Sequence, residues 1–252
     1  MIKTGSPNDT GYAAWVEEFE AERERRAALG DPDWGPGARL PAAIVRSVQK
    51  FQVGEDGDGS ALTGKADRAG DGAYAAAVRL FVAEEQNHAR MLALLLTAGG
   101  AGTLEGHWSD AAFVRLRRLL GLKQELLVLM VAEVVSLRYY RALRDGSPDP
   151  LAAEVARRLL ADEERHVPFH CRRLNEGLAP LPRPARRAVT AGWRALLAGA
   201  AVVVAVDHGP ALRALGVGRR TFVADVLRSS AVMASAMADG PVTEPVPERP
   251  AV

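Results

Sequence analysis

Apolar residues recur along this chain three and four places apart, and no useful stretch alternates apolar with polar. That is the pattern of packed α-helices and not of strands. A charged amphipathic helix is expected over 11–29, ended by Gly30-Asp31-Pro32 and the Trp-Gly-Pro-Gly stretch that reaches Gly37. A second should begin near Pro41, with Ile44, Val48 and Phe51 leading a turn at a time to Glu55. A third opens around Asp71, and its inward stripe reads Val78, Phe81, Glu85, His88, Leu92 and Leu95. Gly99-Gly100-Ala101-Gly102 stops it, and a long connection with a short helix from Asp110 follows. A helix over 122–144 then presents Leu126, Met130, Glu133, Leu137 and Tyr140 on one face. Past the turn from Asp145 to Pro150, another stacks Val155, Leu159, Glu163, His166 and His170, with a kink expected at Pro168. Helices are also expected at 185–206 and 219–237, and the Pro-rich tail from Gly240 reads as disordered.

Two of these stripes carry the same polar interruption. Glu85-Gln86-Asn87-His88 and Glu163-Glu164-Arg165-His166 each set a carboxylate and an imidazole three residues apart, on one helical face. With 17 Glu and five His in 252 residues, one such pair arises by chance in about a third of sequences. The duplicate gains weight because each copy has another Glu 30 residues upstream, Glu55 and Glu133. The midpoints fall at residues 70 and 148, both inside turn sequences. Antiparallel helices joined at the midpoint between two residues bring those residues to the same height. The register therefore predicts two helical hairpins joined by a crossover through 99–121, an all-α four-helix bundle with one long connection.

Glu55, then Glu85 with His88, then Glu133, then Glu163 with His166 resembles the ligand pattern of ferritin-like di-iron carboxylate proteins. The resemblance covers roughly residues 40–175. It implies a ferritin-like bundle over 39–178; outside it, the residue pattern gives an N-terminal amphipathic helix and linker at 1–38, C-terminal helices at 179–238 expected to pack on the bundle, and a Pro-rich tail at 239–252. It also implies two Fe ions bridged by Glu85 and Glu163, with Glu55 and His88 completing one and Glu133 and His166 the other. Manganese, or a mixed Mn/Fe pair, suits the same ligands. The activity implied is that of an oxidase or oxygenase using O2 or peroxide on an unidentified small-molecule substrate. No Cys-x-x-Cys is present, so an external electron donor is expected. Ferroxidase-type iron storage is the alternative, and a large hollow assembly would favour it over an enzyme that is a monomer or homodimer.

The chemistry agrees with the pattern. Four buried glutamates without a cation are severely unfavourable, and Glu133 lies inside Leu-Leu-Val-Leu-Met-Val-Ala-Glu-Val-Val. A solvated acidic face is the competing reading, since Glu84 and Glu164 adjoin the motifs. Gly54, Gly57 and Gly59 weaken the helix around Glu55 and read as close packing or an opening beside the metals. A calcium loop from Asp56 fits poorly, with Ala61 where the turn glycine belongs. His170 is an extra ligand, a hydrogen-bond partner behind the ligands, or a satisfied polar residue. Tyr140 is a redox-active or proton-donating phenol, or core packing. Asp207-His208 reads as a helix end.

Composition adds exclusions. A net charge of +1 gives no field for nucleic acid, and Arg25-Arg26, Arg186-Arg187 and Arg219-Arg220 read as solvated faces. The single Cys171 permits no internal disulfide. The longest uncharged apolar run, Ala195 to Val206, has 12 residues and reads as a buried helix, short of the roughly 20 that span a bilayer. With no secretory signal at the N-terminus, a cytoplasmic protein is expected.

Overall fold

Asp71 and Asp149 start the two long helices that carry the Glu-x-x-His motifs. Each carboxylate accepts a backbone N–H three residues on, from Tyr74 and Ala152, at 2.9 Å. In the second case Pro150 occupies the first helical position, where its missing N–H costs nothing. The computed structural model describes residues 11–107 and 121–239. The short helix expected from Asp110 and the tail from Gly240 lie outside the described residues.

All regular structure among the described residues is helical. In chain order it comprises α1 (Ala13–Leu29), α2 (Ala42–Glu55), α3 (Ser60–Arg68), α4 (Gly72–Ala98), α5 (Leu122–Gly146), α6 (Pro150–Leu178), α7 (Arg183–Asp207), α8 (Gly209–Ala214) and α9 (Arg219–Asp239). Most of these match the periodicity to within a turn. Helix α6 continues through Pro168 without ending.

The periodicity does not predict α3 or α8. Helix α2 ends at Glu55, and the chain restarts at Gly59, whose φ of 64° is left-handed. A Cβ on Gly59 would meet Val82 of α4 at 2.3 Å, so only glycine allows this approach. The two sides of the first hairpin are therefore not joined directly, as the midpoint argument assumed, because α3 intervenes. The antiparallel register survives the break. Ala38 N–H donates to Ala98 O at 2.9 Å, Glu55 meets Glu85, and Gly59 sits on Val82. One number falls as the other rises.

Helices α2 and α3 pack on α4, α5 packs on α6, and α4 meets α6 across the middle. One contiguous apolar core joins them, with Ile44, Val78, Leu92, Met130, Val134, Val155 and Leu159 almost fully buried. Helix α1 docks on α4 through Phe19, and α9 lies along α5, α6 and α7. At the end of α5, a Cβ on Gly146 would strike the backbone of Leu215, so glycine admits the turn after α8.

The run Ala195 to Val206 does not form the buried helix that its composition predicts. It forms the second half of α7, and Leu196, Val202, Val203 and Val206 are exposed, Val206 by 58%. The reason is one-sided packing: α5 and α9 cover a single face, through Trp193, Leu197, Ala201 and Ala205. By length and composition α7 could cross a membrane, and it is the one helix among the described residues of which that is true.

Candidate metal centre

Each of the four helices α2, α4, α5 and α6 delivers its acidic residue to one place. Ligand atoms of Glu55, Glu85, His88 and Glu163 lie within 4.8 Å of one another, and so do those of Glu85, Glu133, Glu163 and His166. Two four-residue groups thus share Glu85 and Glu163. All six residues expected as ligands from the sequence are in the cluster, paired as the register predicts. The solvated-face alternative fails for them: Glu55, Glu133, Glu163 and both histidines are buried, and only Glu85 is partly open.

The imidazoles are oriented from behind. His88 Nε2 lies 3.2 Å from Asp162 Oδ2 of α6, and His166 Nε2 lies 2.9 Å from Glu84 Oε2 of α4. Each hairpin's histidine is therefore held by an acid from the other hairpin. With Nε2–H donating outward, Nδ1 points inward. His88 Nδ1 faces Glu85 at 3.4 Å and Glu163 at 3.5 Å. His166 Nδ1 faces Glu85 at 3.2 Å, Glu133 at 3.5 Å and Glu163 at 3.7 Å. Both Nδ1 atoms, Glu85 Oε1, Glu133 Oε2 and Glu163 Oε2 are buried without a hydrogen-bond partner.

Glu84 and Asp162 belong to the cluster's surroundings in a way the sequence does not predict. Both are nearly fully buried, although Glu84 reads as part of an acidic surface. Arg26 reaches both, Glu84 at 2.6 Å and Asp162 at 3.1 Å. Arg165 contacts the same two carboxylates. Arg26 is thus no solvated residue, and through it α1 braces the cluster. The signal was present: an acid stands immediately before the Glu of each motif.

The electrostatics show how the protein alone balances this charge. Burial, then the charges of Glu85 and Glu163, lift Glu55 well above the usual carboxylate range. Burial, then Glu163 and Glu85, do the same to Glu133. Burial also opposes ionisation of Glu163, but His166 and His88 overcome it and hold this carboxyl down at about 2. Burial acts to lower both histidines, and the surrounding carboxylates outweigh it and raise them. Protons crowd where cations would otherwise sit.

Tyr140 donates to Glu55 Oε1 at 2.6 Å. Burial and the nearby glutamates push its phenol well above the ordinary value, so it is a fixed donor. His170 lies outside both ligand groups. Its ring is fully buried against Phe81 and Phe169, at 4.6 and 5.0 Å between centroids, with neither nitrogen bonded. Burial, then the charge of His166, hold it down at about 3, so it is neutral. The expected kink at Pro168 is not what separates it from the site, since α6 carries both His166 and His170.

A cavity of about 330 Å³ opens onto the cluster. Glu55, Glu85, Glu133 and Glu163 form one wall, and the remaining lining comes from α2, α5 and α7 with His208. Gly54 lines it and has open space above its Cα, whereas Gly59 is close-packed on Val82 and Gly57 neither packs closely nor lines the cavity. His208 is more than a helix end: it bonds Ser47 through Nδ1 at 2.7 Å and borders the cavity. Compared with protein families, curated proteins and solved structures, the chain matches none of them. The site must be read from its own geometry.

Proposed function

We propose that the protein is a di-metal carboxylate oxidoreductase on a ferritin-like four-helix bundle made by α2, α4, α5 and α6. In this reading Glu55, Glu85, His88 and Glu163 would hold one iron ion and Glu85, Glu133, Glu163 and His166 the other, with Glu85 and Glu163 shared between them. Manganese or a mixed pair fits the same donors. The carrying observation is the pair of inward Nδ1 atoms. Each has its back hydrogen bond made and turns its other nitrogen onto carboxylate oxygens that lack partners. Two imidazole nitrogens and four carboxyl groups converging in a buried place are a donor set for cations, whose place protons take when no metal is bound.

When bound, such ions supply electron transfer to O2 or peroxide. The chain's own residues do the rest. Asp162 and Glu84 fix the imidazole orientations, and Arg26 and Arg165 balance those two acids. Tyr140 holds Glu55 by a hydrogen bond. The adjoining cavity favours turnover of an organic substrate, with electrons from an external donor, over storage of iron.

Metal analysis of the purified protein tests the reading, with about two iron or manganese ions per chain expected. Glu133→Ala should sharply reduce that content. Reduced, iron-loaded protein should consume O2 or peroxide with a change in absorption. Protein that takes up no stoichiometric metal overturns the proposal, inertness toward both oxidants overturns its redox part, and a large hollow assembly turns it toward storage.

A further inference from the structure

The cavity beside the cluster has two kinds of wall. One is the row of glutamates already described. The other is apolar: Phe51 from α2, Leu129, Ala132 and Val135 from α5, Ala200 and Val204 from α7. Apart from the glutamates, the polar groups on its lining are Lys50, Ser136 and His208. None offers a free charge. Lys50 Nζ is 2.7 Å from Asp207 Oδ1. His208 is kept neutral by burial, which holds it down at about 4, and it is already bonded to Ser47. In the metal-free protein an anionic ligand would meet four glutamates and a lysine already taken, and a bare cation would have to leave the glutamate wall for a largely apolar chamber.

We infer that this cavity binds an uncharged, largely apolar small molecule, seated between Phe51, Leu129, Ala132 and Val204 with one end toward Glu55 and Glu133. The volume is at the lower end of those that enclose small organic ligands. The approach agrees. Val203 lines the cavity and is also 44% exposed, on the uncovered face of α7 that carries Leu196, Val202 and Val206. An apolar molecule collecting on that face is already at the mouth. The hydroxyl of Ser136 would orient a single hydroxyl or carbonyl group of the ligand. The inference rests on the cluster being the reacting centre, as proposed above, and adds the class of molecule presented to it.

The test uses 2-naphthol and 2-naphthoate, one neutral and one anionic at pH 7 with the same ring system. They are titrated by fluorescence against the full-length protein, both metal-free and metal-loaded. Saturable 2-naphthol binding is expected in both forms, and in the metal-free protein 2-naphthoate should bind about tenfold weaker or more, a difference of roughly one unit in log Kd. In the unmodified protein, nuclear Overhauser contacts should connect the bound ring to methyls of Leu129 and Val204. Ala200→Phe fills the chamber from α7, which carries none of the six cluster residues, and should weaken 2-naphthol about tenfold while leaving metal content unchanged. Equal or tighter 2-naphthoate binding by the metal-free protein, no saturable 2-naphthol binding, or contacts only to methyls outside the cavity lining overturns the inference even if the variant misfolds. Retained 2-naphthol binding in protein that takes up no metal would instead overturn the metal reading and leave this one standing.

Discussion

His88 of α4 and Asp162 of α6 meet at 3.2 Å across the interface between the two hairpins, and His166 and Glu84 repeat the contact in reverse. These acids fix which imidazole nitrogen faces inward, and under the proposed function they would set metal affinity without being ligands. Asp162→Asn and Glu84→Gln should each keep the metal stoichiometry and weaken metal affinity about 10- to 100-fold. Competition against a chelator measures this. Loss of one whole ion per chain in either variant would show that the acid itself is a ligand.

Tyr140 tests the other flank. Tyr140→Phe removes the 2.6 Å bond to Glu55 and leaves a buried carboxyl oxygen without its donor. The cost expected in urea unfolding of the metal-free protein is about 1–2 kcal/mol. Unchanged stability would mean that Glu55 finds another partner at once.

His170→Leu should leave metal content at its wild-type level, because His170 stands apart from both ligand groups among phenylalanine rings. It should also raise the stability of the metal-free protein, since a buried imidazole with no bonded nitrogen is replaced by an apolar side chain. A drop in metal content measured by elemental analysis would make His170 a ligand.

Acid should weaken the fold through His208. Its folded-state pKa of about 4 lies below the usual 6.5, so the unfolded chain binds more protons between those values. Stability from this group is full above pH 6.5 and is lost as pH falls toward 4. The loss amounts to about 3 kcal/mol. His208→Asn should lose correspondingly less stability than wild type between pH 7 and pH 4 in paired urea titrations. Parallel curves for the two proteins would remove His208 as the cause.

The helices and the meeting of six side chains were legible in the sequence because both rest on periodicity. Apolar residues three and four apart mark helix faces, and equal spacing marks equal height. What stayed hidden depends on contacts between elements. Glu84 looks like surface because an acid beside an acid usually is, and only the crossing of α4 and α6 brings it to His166. Arg26 belongs to α1, far from the motifs in sequence, so nothing local links it to Asp162. Helix α3 was missed because glycines and aspartates precede it, and they speak for a loop until Val82 is seen filling the space above Gly59. The outward face of α7 was missed because composition reports how apolar a helix is, not how many neighbours cover it.

The interruption after α2 makes the four glutamates mechanically unequal. Glu85, Glu133 and Glu163 sit in the interiors of long helices, with regular backbone on both sides. Glu55 is the last residue of its helix, and two of the next four residues are glycine. Three carboxylates are thus set by helix interiors, whereas the fourth depends on a helix end, the bond from Tyr140 and the seating of Gly59 on Val82.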